Sequence, residues 1–432
     1  MRALVFGTAL LAWAPSLLGE RSATMPPSSR QEPLPARAET AGRITLSEAL
    51  RLATELHPDI RSADADRRAA EGRLLEARTY PFNPEISAEA GPVRNPDLST
   101  SNASIGLRQT LELGGKRGKR SAAASARLDA EISRSSLARL GVVARVRRAY
   151  GLAILARHRL ASAREAEAIA SELKGAADER LRLGAGTLLE LNVATAATGR
   201  ATAERVAAVL ALQGAQLDLG AAVGDPRRVE LEPAEDRLPL FAAIPEDESA
   251  FVERALGARP DLAALGREVQ AAEAEVRVAD SAAVPDVTLG VTQGREGLDD
   301  SRSTIFGVSL PLPLFNRNQG PRVVARAALD RSRAAESALR QAVAREARAA
   351  HRRYTLTRQA VEGFDRDVVE KLGENLTLAL QSFQAGKIGL LEFNVVRREL
   401  VETRLAYLAA ERELVEGQAA LELASGSSLE KP

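Results

Sequence analysis

Gly184-Ala185-Gly186-Thr187-Leu188-Leu189-Glu190-Leu191-Asn192-Val193 returns later in the chain as Gly386-Lys387-Ile388-Gly389-Leu390-Leu391-Glu392-Phe393-Asn394-Val395. The offset is 202 residues at every matched position, and it also carries His57-Pro58-Asp59-Ile60 onto Arg259-Pro260-Asp261-Leu262. Pro84 and Leu113 map onto Pro285 and Leu314 at an offset of 201. A drift of one residue over so long a stretch means tandem duplication, so two structurally equivalent halves make up the chain.

Each quoted stretch closes a long helical pattern. Lys119 to Leu183 contains no proline, and Leu140, Val143, Val146 and Tyr150 recur at helical steps. Val361, Phe364, Val368, Leu372, Leu376, Leu380 and Phe383 do the same within Pro321 to Phe383. These patterns predict one long helix per half, over 119–183 and 321–383, each roughly 95 Å long at 1.5 Å per residue. Helices of that length imply a coiled coil or a helical tube. Shorter helices are predicted over Leu46–Arg78 and Leu188–Ala222, then over Asp247–Ala283 and Leu390–Ala424. Stacked end to end, each pair can flank one long helix.

Ahead of each long helix the period changes to two. Ala103, Ile105, Leu107, Leu111 and Leu113 alternate with Asn102, Ser104, Arg108, Thr110 and Glu112, and Gln109 is the one polar interruption on the apolar side. A weaker partner run covers Glu85 to Ala90. In the second half Val287, Leu289 and Val291 form one stripe and Phe306, Val308, Leu310, Leu312 and Leu314 another. Each half thus predicts a hairpin, over 85–113 and 286–315, with one oily and one wet face. The strand lengths are near what crosses a bilayer when tilted. Four strands cannot close a barrel, so spanning strands require several chains to pool them. A small soluble sheet packed on the helices would use the oily faces equally well.

Composition bounds the function classes. The 432 residues are 45% hydrophobic but only 3% aromatic, and 59 basic against 58 acidic residues leave a net charge of +1 with the charges interleaved. No basic patch points to nucleic acid. Cysteine is absent, which removes disulfides, thiolate metal sites, cysteine nucleophiles and a lipidated N-terminal cysteine together. Arg2 followed by an uncharged run from Ala3 to Leu18 reads as a signal peptide over residues 1–23, the alternative being an N-terminal anchor. A polar lead-in follows over 24–43. Beyond it no uninterrupted apolar run approaches 18 residues, so no spanning helix is expected. The repeats are read as 44–224 and 246–424, joined by a linker at 225–245 and followed by a polar tail at 425–432.

The enzyme inventory is empty. His57, His158 and His351 lack a second ligand at metal spacing. Ser171 to Lys174 has an S-x-x-K form without the motifs that accompany it in serine acylases. No Gly-rich phosphate loop occurs. Neither a metal site nor a cofactor is expected.

Gln109-Thr110-Leu111-Glu112-Leu113-Gly114-Gly115-Lys116-Arg117 resembles the strand-to-helix junction of TolC-like outer membrane efflux factors. Leu310-Pro311-Leu312-Pro313-Leu314-Phe315-Asn316-Arg317-Asn318-Gln319-Gly320 is similar to the second junction in members that serve cobalt, zinc and cadmium efflux pumps. The duplicated Gly, Leu, Leu, Glu pattern and Thr45-Leu46-Ser47-Glu48-Ala49-Leu50 fit as well, so the resemblance covers about residues 44–425.

The resemblance implies a mainly α fold with a β-barrel part. It is a homotrimer in which four transmembrane strands per chain complete a 12-stranded barrel in outer membrane lipid, and duplicated long-helix hairpins form a periplasmic α-barrel tunnel. It also implies a periplasmic membrane fusion adaptor and an inner membrane pump of RND type as partners. Gly184 and Gly386 then mark the helix reversal at the tunnel tip, and Glu190 and Glu392 the acidic places that line its aperture. Each glutamate could instead pair with a neighbour such as Arg182 or Arg397. Gly114 and Gly115 turn strand into helix, Pro311 and Pro313 end a sheet, and Lys116, Arg117, Asn316 and Arg317 complete the junctions, the basic ones either near lipid headgroups or in a solvated turn. The alternative function is a periplasmic coiled-coil adaptor or tether without a pore, which leaves four amphipathic strands unexplained.

Overall fold

The computed structural model describes residues 42–95, 98–239, 247–296, 301–364 and 371–426. The expected signal peptide, nearly all of the lead-in, the end of the linker, the tips of both strand loops, the 365–370 stretch of the predicted second long helix and the tail beyond Gly426 lie outside the described residues.

The first half contains β1 (Gly42–Ile44), α1 (Leu46–Leu56), α2 (Pro58–Arg78), β2 (Glu85–Asn95), β3 (Leu98–Leu111), α3 (Lys116–Arg182) and α4 (Leu188–Val223). The second contains β4 (Leu231–Pro233), α5 (Glu248–Ala258), α6 (Pro260–Ser281), β5 (Val287–Glu296), β6 (Ser301–Ser309), α7 (Gln319–Glu362), α8 (Leu372–Gln384) and α9 (Leu390–Ser425). Helix boundaries follow local chemistry. The side chains of Thr45 and Asp247 accept the Glu48 and Ala250 N–H groups at 3.2 and 2.7 Å, satisfying donors that a helix start leaves free. Pro58 and Pro260 open α2 and α6, where a missing N–H costs nothing. Gly224 and Gly426 close α4 and α9 at a left-handed φ of 73°.

α3 is the axis of the molecule. It packs against α2 and α6 toward one end and against α4 and α9 toward the other, while α6 and α9 both pack on α7. Alanine is the commonest of its buried residues, which lets backbones approach closely. Midway, Tyr150 is fully buried. Its hydroxyl donates to the Ile44 carbonyl at 3.0 Å and accepts from the Ala234 N–H at 3.2 Å, fixing the parallel pair β1–β4 onto α3.

The two hairpins merge into one antiparallel sheet of order β2-β3-β5-β6. β3 joins β5 from Ala103↔Arg295 to Leu111↔Val287. Below it the helices run in the matching order α2, α3, α6, α7.

Five expectations change. The segments predicted as single helices over 46–78 and 247–283 are each two helices, because Pro58 and Pro260 disfavour helical backbone in the residue before them. The second long helix is not continuous: α7 stops at Glu362 with Gly363 as its cap, and α8 starts at Leu372. Gly363 falls where the 202-residue offset places Ala161 in the first half, and glycine in a helix interior costs about 1 kcal/mol relative to alanine. The last strand ends at Ser309, short of Leu314, because Pro311 and Pro313 offer no N–H to a ladder. β3 ends at Leu111, and α3 begins at Lys116, three residues early. Finally, α4 is long and apolar enough to cross a membrane by length and composition. Gln213, Gln216 and Asp218 break its apolar run and hide this from a search for uninterrupted stretches. It lies along α3 through Ala194, Ala197, Ala201 and Ala208.

Candidate functional site

Register sorts the sheet into two faces. One row across the four strands is Ile86, Leu107, Val291, Phe306, and Leu289 stands opposite Val308 on the same face. All but the partly buried Val291 are exposed; Phe306 is 82% accessible and Val308 74%. The other face carries Glu85, Ser87, Glu89, Arg108, Gly106, Thr292, Gly290 and Gly307 in its rows. A sheet this oily on an exposed side and this polar on the other has the pattern of a strand wall between lipid and water.

At the first junction Gly114 and Gly115 sit at φ of 73° and 66°, a region closed to most side chains. A Cβ on Gly114 would also stand 3.2 Å from Val284. Lys116 Nζ reaches Asp286 Oδ1 at 2.7 Å, and the Leu113 N–H donates to the same oxygen at 3.1 Å. Arg117 Nε donates to the Arg78 carbonyl at 2.6 Å, and Arg120 pairs with Glu112. The basic run has protein partners within the junction. It ties β3, β5, α2 and α3 together.

The second junction turns by other means. Pro311 and Pro313 follow the end of β6, and the Leu314 N–H closes a tight turn onto Leu312 O at 2.9 Å. Asn316 Oδ1 accepts the Asn318 N–H at 3.0 Å, and the Arg317 N–H donates to Gln319 Oε1 at 2.7 Å. Asn318 holds φ of 60°, the only non-glycine at positive φ among the described residues. It plays the part of Gly115. Its neighbours Asn316 and Arg317 carry the junction's sequence signal, yet Asn318 takes the turn, as the side chain that best tolerates this region. Asp286 was likewise read only as a strand residue.

At the opposite end Gly184 and Gly386 adopt φ of 74° and 71°. Both reversals lead into α4 and α9, whose tips share one core: Leu173, Ala177 and Ala194 pack with Leu376, Phe383, Leu390 and Phe393. The Phe383 and Phe393 rings lie 5.9 Å apart, and Arg180 stands over Phe383 at 5.4 Å.

Glu190 is not a salt-bridge partner of Arg182, which pairs with Asp178 at 2.7 Å. Instead Glu190 Oε2 accepts the Thr187 N–H at 3.1 Å, and Thr187 Oγ1 accepts the Glu190 N–H at 3.2 Å, a reciprocal capping box. Glu392 Oε2 accepts the Gly389 N–H at 3.0 Å, the half of the box that glycine permits. Arg397, the other suggested partner, lies beside Arg200; burial first, and then that neighbour, push its guanidinium below its usual range. Among the described residues no cluster of potential ligands suits a metal ion.

A family model described as outer membrane efflux protein matches residues 49–225 and 251–427, one span on each repeat. The chain is 28% identical over 374 residues to the cobalt-zinc-cadmium resistance protein CzcC of Cupriavidus metallidurans, covering 86% of this chain and 87% of CzcC. Its fold is similar to that of a membrane protein from Pseudomonas aeruginosa, with a TM-score of 0.74 at 22% identity, over 90% of this chain and 99% of the other. It is also similar to the Campylobacter jejuni CmeC outer membrane channel, with a TM-score of 0.73 at 17% identity, over 96% of both chains. With a family match on each half, a two-faced sheet and a helical body, the chain belongs to the outer membrane efflux protein family and is an outer membrane efflux channel with its helical part in the periplasm.

Proposed function

We propose that three copies close twelve strands into one barrel, and that the duct carries heavy-metal cations delivered by a periplasmic membrane fusion adaptor and an inner membrane pump of RND type. The observation that carries the assembly is the sheet. β2 and β6 are its outer strands, and in lipid their free backbone groups have no water to bond, so each edge needs the opposite edge of another copy. The helices support the same arrangement. α7 has no buried residue before Val343. α4 exposes Leu189, Val193, Ala196, Ala203, Ala207, Leu210 and Leu217, a stripe near the 3.5-residue spacing of a coiled-coil seam.

Cations are favoured by the polar face, where Glu85, Glu89 and Glu296 outnumber Arg108, since rings of carboxylates select cations. The name of CzcC supports metal cations as the cargo. At the tip, Glu190 and Glu392 from three chains would bring six carboxylates near one axis and form the gate. Residues 1–23 would direct export and be removed. Mass measurement of the full chain extracted from outer membranes in detergent tests the assembly: a trimer is expected, and a monodisperse monomer would overturn it. Reversal potentials in planar bilayers test the cargo class, and anion selectivity would exclude a cation duct.

A further inference from the structure

The oily row of β6 does not stop where its ladder stops. Phe306 and Val308 are followed at the same two-residue step by Leu310, Leu312 and Leu314, and then at once by Phe315. The ladder ends at Thr288↔Ser309, so these later residues carry no strand pairing among the described residues. At 89%, Phe315 is more accessible than any other large apolar side chain among the described residues.

Duplication supplies an internal control. The offset of 201 sets Leu310–Phe315 against Gln109–Gly114. There Leu111 and Leu113 are 38% and 40% accessible, whereas Leu312 and Leu314 are 68% and 64%. The Glu112 side chain is buried against Arg120, and Pro313 stands in its place in the second repeat; Phe315 stands in the place of Gly114. The second junction is thus the oilier of the two and also the more exposed.

Its backbone offers few open donors. Pro311 and Pro313 bring no N–H. The N–H groups of Leu314, Arg317 and Asn318 donate locally, to Leu312 O at 2.9 Å, Gln319 Oε1 at 2.7 Å and Asn316 Oδ1 at 3.0 Å. Gln319 Nε2 in turn donates to the Phe315 carbonyl at 3.0 Å. A segment with its donors removed or bonded loses little on leaving water. Arg317, exposed just beyond Phe315, adds the kind of long basic side chain that keeps its charge at a membrane surface.

Two coverings compete for this patch, lipid and a second copy. A copy pairing on β6 does so through backbone groups in the plane of the sheet, and the two prolines stop such pairing at Ser309. The leucines instead prolong the face that stands perpendicular to the sheet. The segment also lies between the sheet and α7, which places it where the strands leave the bilayer for the periplasm.

We propose that Leu310–Phe315 is an interfacial anchor seated in the periplasmic leaflet of the outer membrane. Leu312, Leu314 and Phe315 enter the acyl chains near the headgroups, and Arg317 stays at the phosphates. The anchor rests on the barrel reading above, with the oily face of the sheet in lipid. It sets the depth of the sheet in the bilayer at the end where the helices begin.

The test uses the full chain purified from outer membranes and reconstituted into vesicles of phosphatidylethanolamine and phosphatidylglycerol, with brominated acyl chains as quenchers of tryptophan. Trp13 is the only tryptophan of the sequence, and the wild-type chain serves as the blank. F315W is expected to emit at short wavelength and to lose most of its emission to bromine near the headgroup end, and less to bromine near the chain ends. L183W, exposed at the far end of α3, should ignore bromine and be quenched by iodide supplied on both sides. F306W, on the oily face of β6, reports on the barrel reading itself. Bromine quenching of F306W without quenching of F315W would overturn the anchor and leave the barrel standing, whereas quenching of neither would remove both. Short-wavelength emission from F315W that bromine leaves unchanged would mean that a second copy covers the segment, and quenching by iodide that water does; either result overturns the anchor. Should F315W fail to assemble, L312W reports on the same segment.

Discussion

Glu190 and Glu392 are each used twice in this reading, as local caps and as gate charges, and the two uses can be separated. Glutamine keeps an oxygen for the Thr187 and Gly389 N–H groups but carries no charge. E190Q/E392Q should therefore remain a trimer while cation selectivity falls and trivalent block weakens, because the focused field is gone. Asp66 is the suitable control, exposed on α2 and away from the tip. Glu165 and Glu167 are not, since they pair with Arg404 and Arg205. Wild-type selectivity in the double variant would reduce both residues to caps, whereas T187A should cost about 1 kcal/mol of helix stability without touching selectivity.

His57 shows a second consequence of capping. Its Nδ1 accepts the Asp59 N–H at 3.1 Å, which requires the neutral ring. Burial pushes its pKa down, Asp59 pulls it up and Arg145 pushes it down again. Because the folded state disfavours the proton, this stability is present above the ordinary value of 6.5 and is lost as pH falls through and below it. The thermal midpoint should drop on acidification from about pH 7.5 to about pH 5.5, and the drop should be smaller in His57→Asn, which retains an acceptor but does not titrate in that range. An equal drop in both proteins would assign the pH effect elsewhere.

At the scale of elements, the same turn is made twice with different residues. Gly114 and Gly115 supply positive φ without strain, and Asn318 supplies it with a side chain whose Nδ2 donates to the Ala279 carbonyl at 2.6 Å. N318G should be nearly neutral, and N318V should be destabilising by roughly 1–3 kcal/mol, because a β-branched residue resists this region. Denaturant midpoints of the detergent-solubilised trimer would show the difference. The tip hairpins are held by the paired rings of Phe383 and Phe393. F393A should cost roughly 3–5 kcal/mol locally and expose α8 and the start of α9 to exchange before the rest of the chain. Hydrogen exchange that stays uniform would mean the tips are held by other contacts.

For the whole molecule, ion pairs between α3 and α9 bind the first repeat to the second. Arg147 pairs with the fully buried Glu422, Arg148 with Glu416 through two contacts of 2.6 Å, and Glu165 with Arg404 at 2.6 Å. Removing one partner of a buried pair leaves an uncompensated charge. E422A should lose roughly 3–5 kcal/mol and unfold in two steps, while an apolar replacement of both partners, R147M/E422L, should recover most of it. A single cooperative transition in E422A would mean that the repeats are coupled chiefly by apolar packing.

Duplication, the mainly helical body, the amphipathic strands and the family were all legible in the sequence, because each rests on spacing along the chain. Period 3.6, period 2 and a 202-residue offset need no knowledge of neighbours in space. The glycine turns were legible for the same reason, since φ is a property of one residue. The interruption of the second long helix at Gly363 was not, because a lone glycine is tolerated in many helices and only packing decides where one breaks. The joining of two hairpins through β3 and β5 depends on pairs some 180 residues apart. Asp286 as the shared partner of Lys116 and Leu113 lies across that pairing and has no local signal. Period and local chemistry are thus written along the chain, whereas which distant groups meet is settled by packing and pairing across the fold.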